Sequence, residues 1–216
     1  MAQSPVVIAL NRAGEPTAHR IAAALGLAVH GRAGRVGRAD AHFPNALTHV
    51  RDLFAAGTPV IGVCAAGILV RAVAPLLADK FTEPPLVAVS DDGGVVVPIL
   101  GGHRGANRMA REIAGALEGK AAVTTAGDVA LGVALDEPPA GYRLANAGDA
   151  REVMAALLSG ARPRINGTNI FGLDSDPDGP VELAVTEAPT AVGADRLVYH
   201  PQAYVLGVGC ARNADP

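Results

Sequence analysis

Short apolar runs alternate along the first part of the chain with longer stretches in which apolar positions recur every three or four residues. Pro5–Leu10, Leu27–Val29, Val60–Cys64, Pro85–Val89, Val95–Leu100 and Ala121–Thr125 belong to the first kind and predict strands buried on both faces. The second kind predicts helices. One is capped by Thr17 and closed by Gly26, and one is capped by Asn45, carries Leu47, Val50 and Phe54 on one face and ends at Gly57. Two more run over Ile68–Leu77, which Pro75 ends or kinks, and Asn107–Leu117. Asp128 can cap a further short helix that Pro138-Pro139 stops, and Asp149 with Glu152 makes a capping-box-like pair before Leu158.

This alternation predicts an α/β fold: an open, mostly parallel sheet with flanking helices, of the Rossmann or flavodoxin-like kind, plus a smaller loop-rich α/β region. Asp92-Gly93 between two apolar runs is a hairpin signal, so the strands on either side of it are expected to be antiparallel, a local break in the pattern. We divide the chain into an N-terminal α/β domain over 1–138, a middle region over 139–200, and the start of a further domain over 201–216. The last stretch, A-Y-V-L-G-V-G-C-A-R-N, looks like a strand entering a glycine turn. The apolar runs end again and again in small or polar residues, at Cys64–Gly67, Ser90–Asp92, Gly101–His103 and Thr124-Thr125. Such an arrangement places a ligand crevice outside the carboxyl ends of the strands.

Composition narrows the partners. Of 216 residues 3% are aromatic and none is Trp, so no stacking platform for bases is expected, and a net charge of −3 argues against binding a nucleic-acid backbone. The longest uncharged apolar tract, Ala55–Val70, is too short to span a membrane, and the N-terminus lacks the basic start of a signal peptide. Two distant cysteines, Cys64 and Cys210, suit a reducing compartment, and Cys64 is expected only to pack. The reading is a soluble cytoplasmic protein.

Three motif matches are rejected. Gly62 and Gly67 have phosphate-loop spacing, but Ile68-Leu69 stand where Lys and Ser or Thr are needed. D-S-D-P-D-G from Asp174 opens like a calcium loop, yet Val185 holds the place of its bidentate Glu, so a hydrated turn is expected. Asn166-Gly167-Thr168 spells a glycosylation acceptor with no meaning in a protein that is not secreted.

His103 is the most informative residue. Preceded by two glycines and followed by Arg104-Gly105-Ala106-Asn107, it stands on a tight loop at the start of a helix, where orphan N–H groups favour a carboxylate or phosphate. An imidazole there can also move a proton near neutral pH. Asp91 and Asp92 are either hairpin chemistry or a general base facing the same crevice. Arg71 and Lys80 are either solvated cations or carboxylate ligands, and Thr124, Thr125 and Asp128 are equally two-sided, since Asp128 caps a helix whether or not a ligand binds. Arg32, Arg35 and Arg38 recur every three residues between glycines; a solvated loop is favoured over an anion-gathering arm.

G-I-L-V-R-A-V-A-P-L-L-A-D-K, the G-G-H-R-G-A-N loop and A-V-T-T-A-G-D resemble, in the same order and at similar spacing, the cobalt-precorrin-5A hydrolase (CbiG) family of cobalamin biosynthesis. The resemblance covers residues 59–130 and is thin beyond them, and V-L-G-V-G-C-A-R resembles the start of that family's C-terminal domain. Departures are a loop one glycine shorter than the family's G-H-L-G-G-A-N, T-T-A-G-D in place of T-T-A-T-D, and Glu83-Pro84 where the family has Asp-Pro. The resemblance implies hydrolysis of the ring-A δ-lactone of a cobalt-bearing corrinoid with release of acetaldehyde. The cobalt arrives inside the substrate, so no cofactor is expected. His103 and Asp91, with Asp92 beside it, would move protons. Arg71, Lys80, Gly102, Arg104, Asn107, Thr124, Thr125 and Asp128 would hold the substrate's carboxylates. The alternative is a non-catalytic corrinoid-binding module partnering or fused to a corrin-ring methyltransferase.

Overall fold

The structure, a computed structural model, describes residues 3–79 and 82–202. Lys80, Cys210 and the stretch read as the start of a further domain, from residue 203 on, lie outside the described residues. The chain divides into two compact units, Met1–Val129 and Ala130–Pro216.

The first unit is built on a seven-stranded sheet. Its strands are β1 (Val6–Ala9), β2 (Ala28–Arg32), β3 (Ala41–Phe43), β4 (Val60–Val63), β5 (Leu86–Val89), β6 (Val95–Leu100) and β7 (Lys120–Ala121). They lie side by side in the order β3-β2-β1-β4-β5-β6-β7. All neighbours are parallel except β5 and β6, which the Ser90–Gly94 turn joins as an antiparallel hairpin. Gly93 takes a left-handed φ of 77° in that turn, and Asp92 serves it directly: the Ser90 hydroxyl (2.6 Å) and the Gly94 N–H (2.9 Å) both donate to its carboxylate. Those two bonds hold the Asp92 carboxyl below the usual carboxylate range.

Because successive strand side chains point to opposite faces, each strand feeds two cores. Val7, Ala9, Ile61, Val63, Val87 and Val89 face one side and meet Ile21 of α1 (Glu15–Leu25) and Ile113 of α4 (Ala106–Leu117). Ile8, Val60, Leu86 and Ala88 face the other and meet Phe54 of α2 (Ala46–Ala55) and Leu69 of α3 (Ala66–Val73). Each fully buried Ile, Leu or Val contributes about 1.5–3 kcal/mol by leaving water, so this double layer is the main source of stability.

Asn45 caps α2 as expected, its side chain accepting from Thr48 N–H at 3.1 Å, and Gly26 ends α1 at φ 67°. Thr17 does not cap α1. The helix starts at Glu15 with Pro16 in its first turn, where a missing N–H costs nothing, and the buried Thr17 instead donates its hydroxyl to the Asp91 carbonyl at 2.6 Å. The strand expected over Ala121–Thr125 shrinks to Lys120–Ala121, because only the first two residues of β6 offer it a partner.

Between α2 and the β2–β3 edge, His49 stacks on Phe43 with ring centroids 4.3 Å apart and shares a 2.9 Å hydrogen bond with His30. One ring must donate to the other, so the pair accommodates one bridging proton. Burial lowers both pKa values; in His49 the neighbouring His30 adds to it, while Asp40 beside His30 and Asp52 beside His49 pull the other way. A folded value below the unfolded one means stability is present above about pH 6.5, the ordinary histidine value, and is lost as pH falls from there. Thermal melting should therefore show Tm falling by a few degrees between pH 7.5 and 5.5. The fall should shrink in His49→Phe, and an undiminished fall in that variant would place the titration elsewhere.

The second unit contains a four-stranded sheet in the order β8-β11-β10-β9, from Tyr142–Leu144, Arg196–Pro201, Glu182–Val185 and Arg164–Asn166. A short helix α5 (Ala126–Leu131) follows β7 in the chain, and α6 (Ala150–Leu158) belongs to the second unit. The middle region is thus a small α/β unit with long loops, as its sequence suggests. Its core holds Leu135, Val153, Leu183, Leu197 and Tyr199, the last donating its buried hydroxyl to the Leu135 carbonyl at 2.8 Å. The capping box does not form: Asp149 accepts from the Asn146 amide at 2.7 Å, and no side-chain cap bond is made at the start of α6.

Candidate functional site

β1 continues to β2 on one side and the chain later returns to β4 on the other, so the strand order reverses direction beside β1. Loops leaving neighbouring strands on opposite sides of such a point part and leave a crevice. A cleft of about 530 Å³ opens there, lined by Leu10, Ala88 and Val97, by Asn11 after β1, by Arg32 at the end of β2 and Arg35 beyond it, by Cys64–Ala66 after β4, and by Asp91 after β5.

Asp91 is the most constrained of these. Its backbone carbonyl accepts from Thr17, and its Oδ2 accepts from the Asn11 amide at 3.1 Å. Oδ1 is buried with no hydrogen-bond partner among the described residues, lying so close to Gly14 that a Cβ there would come within 2.8 Å of it. A buried carboxylate oxygen with no donor is costly unless a ligand or water donates to it. Burial foremost, and then Asp91, push the Cys64 thiol up to about 12. It stays protonated at neutral pH and lines the cleft as an apolar group, not a nucleophile.

α3 begins at the cleft with Ala65 as its N-cap and no side chain satisfying its first N–H groups. Arg71 folds back along α3 and donates to the Gly67 carbonyl at 3.0 Å. It therefore lies at the outside of the helix and not among the residues that wall the cleft.

The G-G-H-R-G-A-N loop is elsewhere. β6 runs opposite to β5, so its far end carries Gly101 back beside Pro85, at the start of β5, where a Cβ on Gly101 would meet the Pro85 backbone at 2.9 Å. Gly102, His103 and Arg104 form one 3-10 turn there, between Gly101 (φ 72°) and Gly105 (φ 102°). Asp91 stands at the other end of the hairpin, about 17 Å away by the length of a strand of this size. The expectation that His103 and the aspartate pair face one crevice is corrected by this: one strand reversal separates them.

Asn107, Thr125 and Asp128 do come together, on the His103 side. The buried Asn107 amide donates to Thr125 Oγ1 and to Asp128 Oδ2, each at 2.9 Å, while Thr125 and Arg111 also donate to Asp128. Burial raises the Asp128 pKa, but the bonds from Thr125, Arg111 and Asn107 outweigh it and leave the carboxyl below its usual range. These groups are spent on one another, tying the first turn of α4 to the start of α5. Their expected role as carboxylate ligands is replaced by a structural one. Thr124 is exposed beside them. Asp92 is turn chemistry, as described above.

The cleft's own cations come from the spaced arginine run that the sequence presents as a solvated loop. Arg32 and Arg35 belong to that run, and Asn11 follows directly on the first strand; the signal for all three is the meeting of the carboxyl ends of β1 and β2. Among the described residues, no group of three or more His, Cys, Asp or Glu side chains is placed to hold a metal ion, and no helix is long and apolar enough to cross a membrane.

Residues 48–128 match the family described as cobalamin synthesis G N-terminal. A cobalt-precorrin-5A hydrolase of Priestia megaterium is 40% identical over 86 residues, which are 39% of this chain and 23% of that protein. The hydrolase of the same name from Salmonella typhimurium is 42% identical over 87 residues, 40% of this chain and 25% of the relative. The matched stretch thus spans about a quarter of either curated relative. A crystal structure of a cobalamin biosynthesis protein G homolog from Sulfolobus solfataricus aligns with 93% of this chain and 60% of its own, at 18% identity and a TM-score of 0.46.

Proposed function

We propose, from the premise that residues 48–128 carry the N-terminal module of the cobalamin synthesis G family, that this protein acts in the cytoplasm on a cobalt-bearing corrinoid intermediate and opens its ring-A δ-lactone, releasing acetaldehyde. The observation that carries the proposal is Asp91, which lines a cleft walled partly by the family-matched segment and whose buried Oδ1 has no hydrogen-bond partner among the described residues. The name shared by the two relatives supports the substrate class.

The chemistry asks for a base, an oxyanion site and an edge-on berth for a large ring. The Asp91 carboxylate would accept a proton from water, whose oxygen adds to the lactone carbonyl. Ala65 and Ala66 at the start of α3 line the same cleft, and N–H groups of that helix end left without a side-chain cap would receive the negative charge that develops on the carbonyl oxygen. Breaking the acyl–oxygen bond leaves a ring acetate and an alcohol on the extruded carbon. Asp91 passes the proton it took to the departing oxygen and, again a carboxylate, takes it back as the carbon–carbon bond to the ring breaks; the bonding pair stays with the macrocycle, and the two-carbon unit departs as acetaldehyde. The cobalt is part of the substrate throughout. His103, at the other end of β6, has no place in this sequence of steps.

Supplying the full chain with the lactone-bearing cobalt corrinoid and measuring acetaldehyde tests the proposal. Stoichiometric release is the expected result. Tight binding with no acetaldehyde would withdraw the hydrolytic step and point to a corrin-binding module serving a methyltransferase, and no binding would remove the corrinoid.

A further inference from the structure

Arg32 and Arg35 precede the family-matched segment, and neither guanidinium is paired with a carboxylate among the described residues. Both wall the cleft, whose single carboxylate, Asp91, is already engaged by Asn11 through Oδ2. Arg38, the third member of the run, serves the loop itself. Its N–H and that of Gly37 bind Glu15, and its carbonyl meets the His19 ring. These contacts hold the loop against α1 and fix where the first two arginines emerge. An arginine fork facing an open cleft matches a carboxylate in two parallel bonds. The uncapped start of α3, across the cleft, adds donors of the same preference.

We infer that Arg32 and Arg35 form a carboxylate subsite that makes this cleft selective for corrinoids whose peripheral side chains are free acids over the same ring with amidated side chains. An amide presents one acceptor oxygen and no charge, so it forfeits the bidentate pairing and the Coulomb attraction together. The inference rests on the reading of the cleft as the corrinoid site, but the two can fail separately.

The test measures binding of a free-acid corrin, its fully amidated counterpart and a simple tricarboxylate to the full chain, by calorimetry. Wild type should prefer the free acid, and Arg32→Gln with Arg35→Gln should lose that preference, at about tenfold in Kd for each guanidinium. Arg38→Gln, in the same loop, should leave the preference unchanged. Both arginines are at least partly exposed, so the variants are expected to fold. A preference that survives the double substitution overturns the subsite and leaves the proposed function standing. A tricarboxylate that binds through both arginines while no corrin binds supports the subsite and contradicts the proposed function. Failure of every ligand to bind overturns both.

Discussion

Asp91→Asn is expected to fold normally and to lower acetaldehyde release by about 10²–10⁴-fold, the usual worth of a positioned general base. The substitution keeps the shape of the side chain. Its carbonyl oxygen can still accept from Asn11, and the Thr17 bond is to the backbone and is untouched. What changes is the atom now at Oδ1: an NH₂ group that donates where the carboxylate accepted, and that cannot take a proton from water. Asp92→Asn is the contrast. Asp92 is exposed and bound to Ser90 and Gly94 within its own turn, so its substitution should slightly weaken the hairpin and leave turnover within about twofold, as surface changes usually do. Comparable losses in both variants would argue that the hairpin's shape, and not the Asp91 carboxylate, supports the reaction.

The second large effect is structural. Gly101→Ala should cost about 2–4 kcal/mol, because it combines two penalties. At φ 72° a side chain is strained, and its Cβ would also meet the Pro85 nitrogen and Cα at 2.9 Å. Gly26 separates the two contributions, for it has nearly the same φ of 67° with nothing within 4 Å of its missing Cβ. Gly26→Ala should therefore cost only the strain, about 1–2 kcal/mol. Chemical denaturation of the two variants reads the difference as a shift in midpoint. Equal losses would show that the backbone at Gly101 moves aside, and that the junction between the start of β5 and the head of α4 is softer than it looks.

The architecture is legible in the sequence wherever local chemistry decides it. Val-rich runs bounded by glycine and polar residues form the central strands, Asn45 and Gly26 take their places at helix ends, and Asp92-Gly93 makes the hairpin. A second, smaller α/β region is legible, but the individual strands of its sheet are not. Its strands are as short as three residues, and what holds them is pairing over long sequence distances, such as Tyr199 opposite Leu144, which leaves no local pattern. Thr17 misleads for a related reason: its hydroxyl serves a carbonyl far along the chain, on Asp91, and not the start of its own helix.

The site is legible in part. Asp91 stands out together with the crevice type, and the cleft does lie at the carboxyl ends of the strands. Joining His103 to it is where the sequence misleads. Motif order along a chain says nothing about which end of a sheet a loop reaches, and the same Asp-Gly hairpin that the sequence announces turns β6 around and carries Gly101–Gly105 to the opposite edge. Arg32 and Arg35 escape notice because a basic, glycine-spaced loop is indistinguishable from a solvated one until β2 is set beside β1.

A crystal structure of the full chain with a free-acid cobalt corrin bound locates the substrate directly. The ring's edge is predicted to enter between Asp91 and Arg32 at the carboxyl ends of β1, β4 and β5. Density for the ring beside Gly101–Gly105 at the head of α4, with the Asp91 cleft unaltered, would contradict it.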